Sequence, residues 1–165
     1  MSNGDTANGD TANGEMEWGD VAEGLRAQQF LFLATVGPDG RPHVAMVAPV
    51  IEDDAIDGPV VWIATTRGSR KAVNALAHPD VAAHAAMDPA RGNAQLFLRG
   101  TVEVVDDLGE KQRLWHSGLM PYDPTMFFGT PENPDMVLLK VRPTHASSLR
   151  MGAGRTTWAR GGGPS

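Results

Sequence analysis

A mainly β fold, an antiparallel barrel of six or seven strands with a few short helices, is what three features of this sequence predict. Apolar runs of strand length recur at short spacing between residues 30 and 151. Only two or three stretches carry helical periodicity, and turn-forming clusters such as Gly37-Pro38-Asp39-Gly40 separate the runs.

In chain order, Val21 and Leu25 give residues 20–29 one modest apolar helical face. Residues 30–36 (FLFLATV) and 41–51 flank the Gly37–Gly40 turn as a hairpin, and an acidic loop over 52–59 follows. A short strand at 60–63 runs into a helix that ends at His78-Pro79, because proline disfavours helical geometry in the residue before it. Residues 81–87 and 94–105 read as the fourth and fifth strands, with Gly100 marking a bend or bulge inside the fifth. A helix over 106–117 leads into a Pro-rich loop at 118–134, long enough that it should cover something or meet a partner. Residues 135–141 and 144–151 complete the strands as a sixth and a seventh.

The chain has 165 residues, no Cys and a formal charge of −6. Four of the 20 acidic residues, Asp5, Asp10, Glu15 and Glu17, precede residue 18, whereas all 14 Lys and Arg follow it, so the remainder is nearly neutral. That balance argues against nucleic acid as a partner. The absence of Cys excludes a disulfide framework and a thiolate site. No apolar run approaches membrane-spanning length, and the N-terminus lacks a secretory pattern, so a cytoplasmic protein with no membrane partner is expected. Residues 1–17 contain the repeat NGDTA NGDTA NGE and read as a disordered tail. Residues 18–151 form the single domain, and 152–165 a C-terminal arm containing Trp158 with a flexible Gly-rich end.

The most informative stretch is VVWIATTRGSRKAVNAL at 60–76. Ser69 is a plausible N-cap, which puts Arg70 and Lys71 in the first helical turn, where the macrodipole disfavours each cation by roughly 0.3–1 kcal/mol. A bound phosphate would offset this, since free N–H groups, the Ser69 and Thr65 hydroxyls and two cations make an anion cradle. The alternative is two surface cations reaching into solvent. On the fifth strand Gln95, Phe97 and Arg99 share one face, either a solvated sheet face or a ligand wall.

The segments FLATVGPDGRPHVAM, VVWIATTRGSRKAVNALAHPDVAAHAAM, QLFLRGTVEVVDD and NPDMVLLKVRP together resemble the pyridoxamine 5′-phosphate oxidase-like flavoproteins, and within them the general-stress-protein branch. The resemblance spans residues 30–143 and implies a split-barrel homodimer holding FMN in two symmetric interface sites. It places the phosphate on Arg70 and Lys71, with Thr65, its neighbour Ala64 and Ser69 beside it, and the flavin ring on Gln95 and on the segment Ala45, Met46, Val47, Ala48, Pro49 and Val50. Ala45 and Val50 stand where true pyridoxamine-phosphate oxidases carry an Arg and a Lys, and their C-terminal motif is not recognisable around Trp158 and Arg160. Flavin binding is therefore expected, and pyridoxamine-phosphate oxidation is not.

Other candidates have plainer readings. The histidines at 43, 78, 84, 116 and 145 show no metal-ligand spacing, so no metal site is expected. Ser69 lacks triad-like partners. Most Met residues read as packing. Arg99 could stabilise reduced flavin or pair with Glu103. No catalytic residue is assigned. The leading expectation is an FMN-dependent oxidoreductase acting on a small molecule, hydride passing through the flavin. The alternatives are the deazaflavin F420 as cofactor, or a non-catalytic flavin, deazaflavin or haem holder of the same fold.

Overall fold

The computed structural model describes residues 14–92 and 94–161. In chain order it contains β1 (Gly14–Glu15), α1 (Trp18–Arg26), β2 (Leu31–Val36), β3 (Pro42–Val47), β4 (Val50–Asp54), β5 (Gly58–Thr66) and α2 (Arg70–Ala77). It continues with β6 (Asp80–Asp88), a 3-10 turn (Pro89–Arg91), β7 (Ala94–Val105), α3 (Leu108–His116), α4 (Thr125–Phe128), β8 (Met136–Arg150) and β9 (Gly154–Ala159).

One sheet runs β1-β9-β8-β7-β6-β2-β3, antiparallel except for the parallel pair β1 and β9. It divides along β8. Residues 136–141 pair with β5, which carries β4 on its far side, residues 145–150 pair with β9, and β7 follows the whole opposite edge. The result is a split barrel, mainly β, as the strand spacing led us to expect.

Several elements differ from the sequence expectation for identifiable reasons. The strand expected at 41–51 breaks at Ala48-Pro49, since Pro49 has no N–H for a ladder. Its halves, β3 and β4, take different neighbours, β2 and β5. The expected acidic loop at 52–59 is largely the β4–β5 hairpin, turned by Asp54, whose Oδ1 accepts from Ile56 N at 2.7 Å and Asp57 N at 2.8 Å. The expected sixth and seventh strands are the single β8. Pro143 survives inside it because β5 ends opposite Val141 and β9 begins opposite His145, leaving its missing N–H in the gap between them.

The C-terminal arm, expected to be flexible only at its Gly-rich end, contributes β9, turned back by Gly152 and Gly154 at φ 78° and 86°. Arg160 fastens its end: its guanidinium donates to Pro143 O at 2.7 Å, Asp57 O at 2.6 Å and Pro59 O. Within the expected tail, Gly14–Glu15 forms β1 and Met16 N donates to Thr157 O at 3.0 Å. The rest of the repeat, residues 1–13, lies outside the described residues, as do 162–165.

The core has two parts because β5 and β8 are buried on both faces. Val61, Ile63, Val137 and Leu139 face the larger cluster with Trp18, Val21, Leu25, Leu31 and Leu33. Val60, Trp62, Met136 and Leu138 face a smaller one that Leu114 of α3 and Phe128 of α4 close. The Pro-rich loop, through Met120, Tyr122 and Phe128, is the cover of this second core.

Gly100 is the tightest point of the sheet. The β7–β8 register slips between Arg99 and Gly100, and a Cβ added at Gly100 would lie 2.2 Å from Arg142 O and 2.8 Å from Pro143 Cα. Any side chain forces the two longest strands apart. We expect Gly100→Ala to destabilise the fold by about 1–3 kcal/mol or more, read as a lower urea midpoint; an unchanged midpoint would show that the strands can part freely here.

Candidate functional site

The site is assembled where β5 hands the chain to α2. The apolar run 60–63 is buried on both sides, which fixes the strand and delivers Thr65, only 5% exposed, to its end. The turn to the helix closes with Ser69 N donating to Thr66 O at 3.0 Å. Arg67 pins this turn: its N–H donates to Asp135 O at 2.7 Å, and its guanidinium reaches Pro134 O at 3.0 Å and Asp106. Buried Lys111 takes the other oxygen of Asp106, and Lys111 first, then Arg67, holds that carboxyl below the usual carboxylate range.

Ser69 is the N-cap, extended at φ −66° and ψ 146°, with Oγ accepting a long 3.4 Å bond from Ala72 N. Its Oγ also stands 3.1 Å from Thr65 Oγ1, so two hydroxyls are held side by side at the start of the helix. Arg70 and Lys71 follow. Successive helical residues point about 100° apart, so the two cations leave the helix start in different directions. Arg70 is exposed and lines a cleft shared with the Gly37–Pro42 turn, and Asn74, one turn on, is buried and donates to Thr35 Oγ1 at 3.0 Å. Lys71 is half-buried, and that burial lowers its pKa.

Among the described residues neither cation has a hydrogen-bond or ion-pair partner, and the first turn of α2 contains no acidic residue. Two cations at the positive end of a helix, one of them desolvated, are an electrostatic cost that the chain itself does not offset. The arrangement fits a multiply charged oxyanion: hydroxyls and helix-start N–H groups to donate, and two cations to balance the charge.

Of the other sequence-derived positions, Ala64 is half-buried beside Thr65, opposite Leu138 of β8. The segment 45–50 is divided by strand alternation. Met46 is outward and 60% exposed, Ala45 and Ala48 are half-buried, and Val47, Pro49 and Val50 are buried, Val50 in the second core. Gln95 is half-buried on β7 and shares the outer face with Phe97 and Arg99. Gln95 lies opposite Leu149 of β8, whereas Thr65 lies opposite Val137, twelve residues away along the same strand. That is about 40 Å of extended chain. A single chain therefore does not bring its own Gln95 to its own cradle.

Arg99 does not pair with Glu103. Glu103 is taken instead by Arg142 across the ladder, whose Nη1 donates to it at 2.9 Å. The outer face also holds features the sequence reading passed over. A row of residues in register crosses it, Met46, Phe32, His84 and Phe97, with the last two rings stacked at 4.7 Å. Arg155 and Thr157 of β9 extend that face; the turn glycines and the alternation in RTTWA are the signal that could have found them. Among the described residues no group of His, Asp and Glu side chains is arranged to hold a metal, and no helix is long and apolar enough to cross a membrane.

Fold and cradle together define a split barrel with a hydroxyl pair and two unpaired cations at a helix start. The chain belongs to the pyridoxamine 5′-phosphate oxidase family, whose model matches residues 18–150. Among curated proteins none matches. Solved structures similar to it include a protein related to general stress protein 26 from Clostridium acetobutylicum, at TM-score 0.67 and 18% identity over 86% of this chain and 92% of that one. An F420 reductase is 32% identical over 75% of this chain and 94% of its own, at TM-score 0.56. The haem storage protein HutZ from Vibrio cholerae shares the fold at TM-score 0.57 and 17% identity, over 76% and 88%.

The unpartnered Lys71 generates a prediction for the protein without ligand. A Lys whose folded pKa is lowered is destabilising wherever it is charged, and the penalty disappears only as pH rises past its folded pKa. Lys71→Met should therefore stabilise the ligand-free protein at neutral pH by a few tenths of a kcal/mol, with the gain shrinking at alkaline pH. A lower melting temperature for the variant at pH 7 would contradict this account.

Proposed function

We propose that this chain is a flavin-dependent oxidoreductase that holds the phosphate of its cofactor in the cradle of Thr65, Ser69, Arg70 and Lys71 and acts on a small-molecule substrate. The observation that carries the reading is the half-buried Lys71 without a counter-charge, next to the hydroxyl pair Thr65 and Ser69. Bound there, FMN would supply hydride transfer through its ring. The protein's part is to fix the phosphate, to present Met46 and the Ala48-Pro49 backbone to the ring, and to donate an amide hydrogen bond from Gln95.

The separation of Gln95 from the cradle along β8 supports a cofactor shared between two chains. In this reading the protein is a homodimer, and the exposed apolar side chains Phe32, Val44 and Met46 on the outer face are what the second copy covers. A deazaflavin in place of FMN is the second reading, favoured by the 32% identity to an F420 reductase. Both cofactors bring a phosphate and a tricyclic ring, so mass analysis of the co-purifying small molecule decides between them.

Two outcomes test the proposal. Arg70→Ala with Lys71→Ala should weaken FMN binding by about 3–6 kcal/mol, two charge-assisted contacts, while riboflavin, which lacks the phosphate, binds as before; equal losses for both would remove the phosphate from the cradle. In sedimentation the wild-type protein should run as a dimer, and Met46→Lys should yield monomers that hold FMN poorly. A wild-type monomer with tightly bound flavin would end the shared-site reading.

A further inference from the structure

On the flank of the outer face away from Phe32, Val44 and Met46, the strands β7, β8 and β9 form an open cleft of about 720 Å³. Its floor is the row Phe97, Ser147 and Thr157, in register across the three strands, with the Phe97 ring braced by its stack on His84. Two residues further along β7 stands Arg99, and two residues back along β9 stands Arg155, both lining the cleft. Both are exposed, and among the described residues neither has a hydrogen-bond or ion-pair partner through its side chain. His145, beside Arg99 in register, has Nδ1 at 3.1 Å from Thr144 Oγ1, which leaves Nε2 for the cleft. Glu15, in register with Thr157 on the strand beside Arg155, and Glu17, just before α1, also line it.

We propose that this cleft binds a flat aromatic molecule bearing a carboxylate at each end, with its ring over Ser147 and against Phe97 and its carboxylates on Arg99 and Arg155. Strand spacing and rise put the two Arg Cα atoms roughly 16 Å apart, on the diagonal across Ser147, with Phe97 beside it in register. Two arginine arms leaning inward over that span leave room for a rigid aromatic core with an anion at either end. A planar guanidinium takes a carboxylate in a two-point fork, and an aromatic floor with flanking cations selects flat anions over flexible ones. The inference deepens the proposed function by naming the class of molecule acted on by the cofactor in the second copy's cradle, since Arg155 lies in one row with Gln95 and far from this chain's own cradle; it rests on that reading for the reaction and not for the binding.

The full-length protein should be titrated with 2,6-naphthalenedicarboxylate and with the monoacid 2-naphthoate, binding being followed by calorimetry. We expect the diacid to bind about tenfold tighter than the monoacid, and Arg99→Gln and Arg155→Gln each to reduce the diacid to the affinity of the monoacid, one charge-assisted contact apiece. Both side chains are exposed, so unchanged melting curves will show that the variants fold. FMN affinity is measured in parallel: the two Gln variants should leave it unchanged, and Lys71→Ala should weaken FMN while leaving the diacid alone. Equal affinity for diacid and monoacid, no binding of the diacid, or Gln variants that bind it like wild type would overturn the cleft assignment. Failure of FMN to bind while the diacid behaves as expected would overturn the proposed function and leave the cleft standing.

Discussion

Everything in this fold is hung on β8. It is the one strand whose edges are both paired for most of its length and whose first half is buried on both faces, with Val137, Leu139 and Val141 in one core and Met136 and Leu138 in the other. The halves of the barrel diverge from it because its partners on one side change, from β5 to β9, at Pro143. That change is possible only because two residues are stripped of what a strand normally carries. Pro143 has no N–H to leave unpaired, and Gly100, opposite it, has no side chain to strike the Arg142 carbonyl. Arg160 closes the same gap from the C-terminal side by donating to the Pro143 carbonyl.

The cradle depends on this arrangement indirectly. β5 is fixed by its pairing with residues 136–141 and by burial of Val60 to Ile63, so Thr65 arrives at a set position. The turn that follows would be free to move were it not tied by Arg67 to the end of the Pro-rich loop and to Asp106, itself held by the buried Lys111. The loop thus has two physical roles: its apolar side chains seal the second core, and its end braces the turn that positions Ser69.

How much of this could be read from the chain follows from how local each feature is. The cap, the hydroxyl pair and the two cations lie within seven residues, so the sequence alone exposes them, and the structure brings all of them together at the helix start. The hairpin of β2 and β3, the bulge at Gly100 and the covering role of the 118–134 loop were legible for the same reason, each being marked by its own turn or breaker residues. The continuity of β8 was hidden because Pro143 reads as a strand breaker until the gap between β5 and β9 is known. The arm became β9 as the return strand of a hairpin, pairing with residues four to fourteen positions back, and its signal, the Gly152 and Gly154 turn, also reads as a flexible Gly-rich stretch. The segment 45–50 was read as one lining surface, but strand alternation and the Pro49 break send Met46 outward and Val50 into the second core. The distance between Gln95 and the cradle was beyond local reading altogether, since it is set by register on a third strand.

That distance matters for how the two cations are interpreted. A solvated surface lysine needs no counter-charge, because water screens it and the helix dipole costs it little. Lys71 is different in kind, since its burial already disfavours the charged form and the hydroxyls beside it donate rather than accept when an anion is present. Arg67, only four residues earlier, shows what this fold does with a cation whose job is structural: it gives it a carboxylate and a carbonyl. Arg70 and Lys71 receive neither, nor do Arg99 and Arg155 at the other end of β8. Among the described residues the unpaired cations therefore fall into two groups along the same strand, Arg70 and Lys71 at one end and Arg99, Arg150 and Arg155 towards the other.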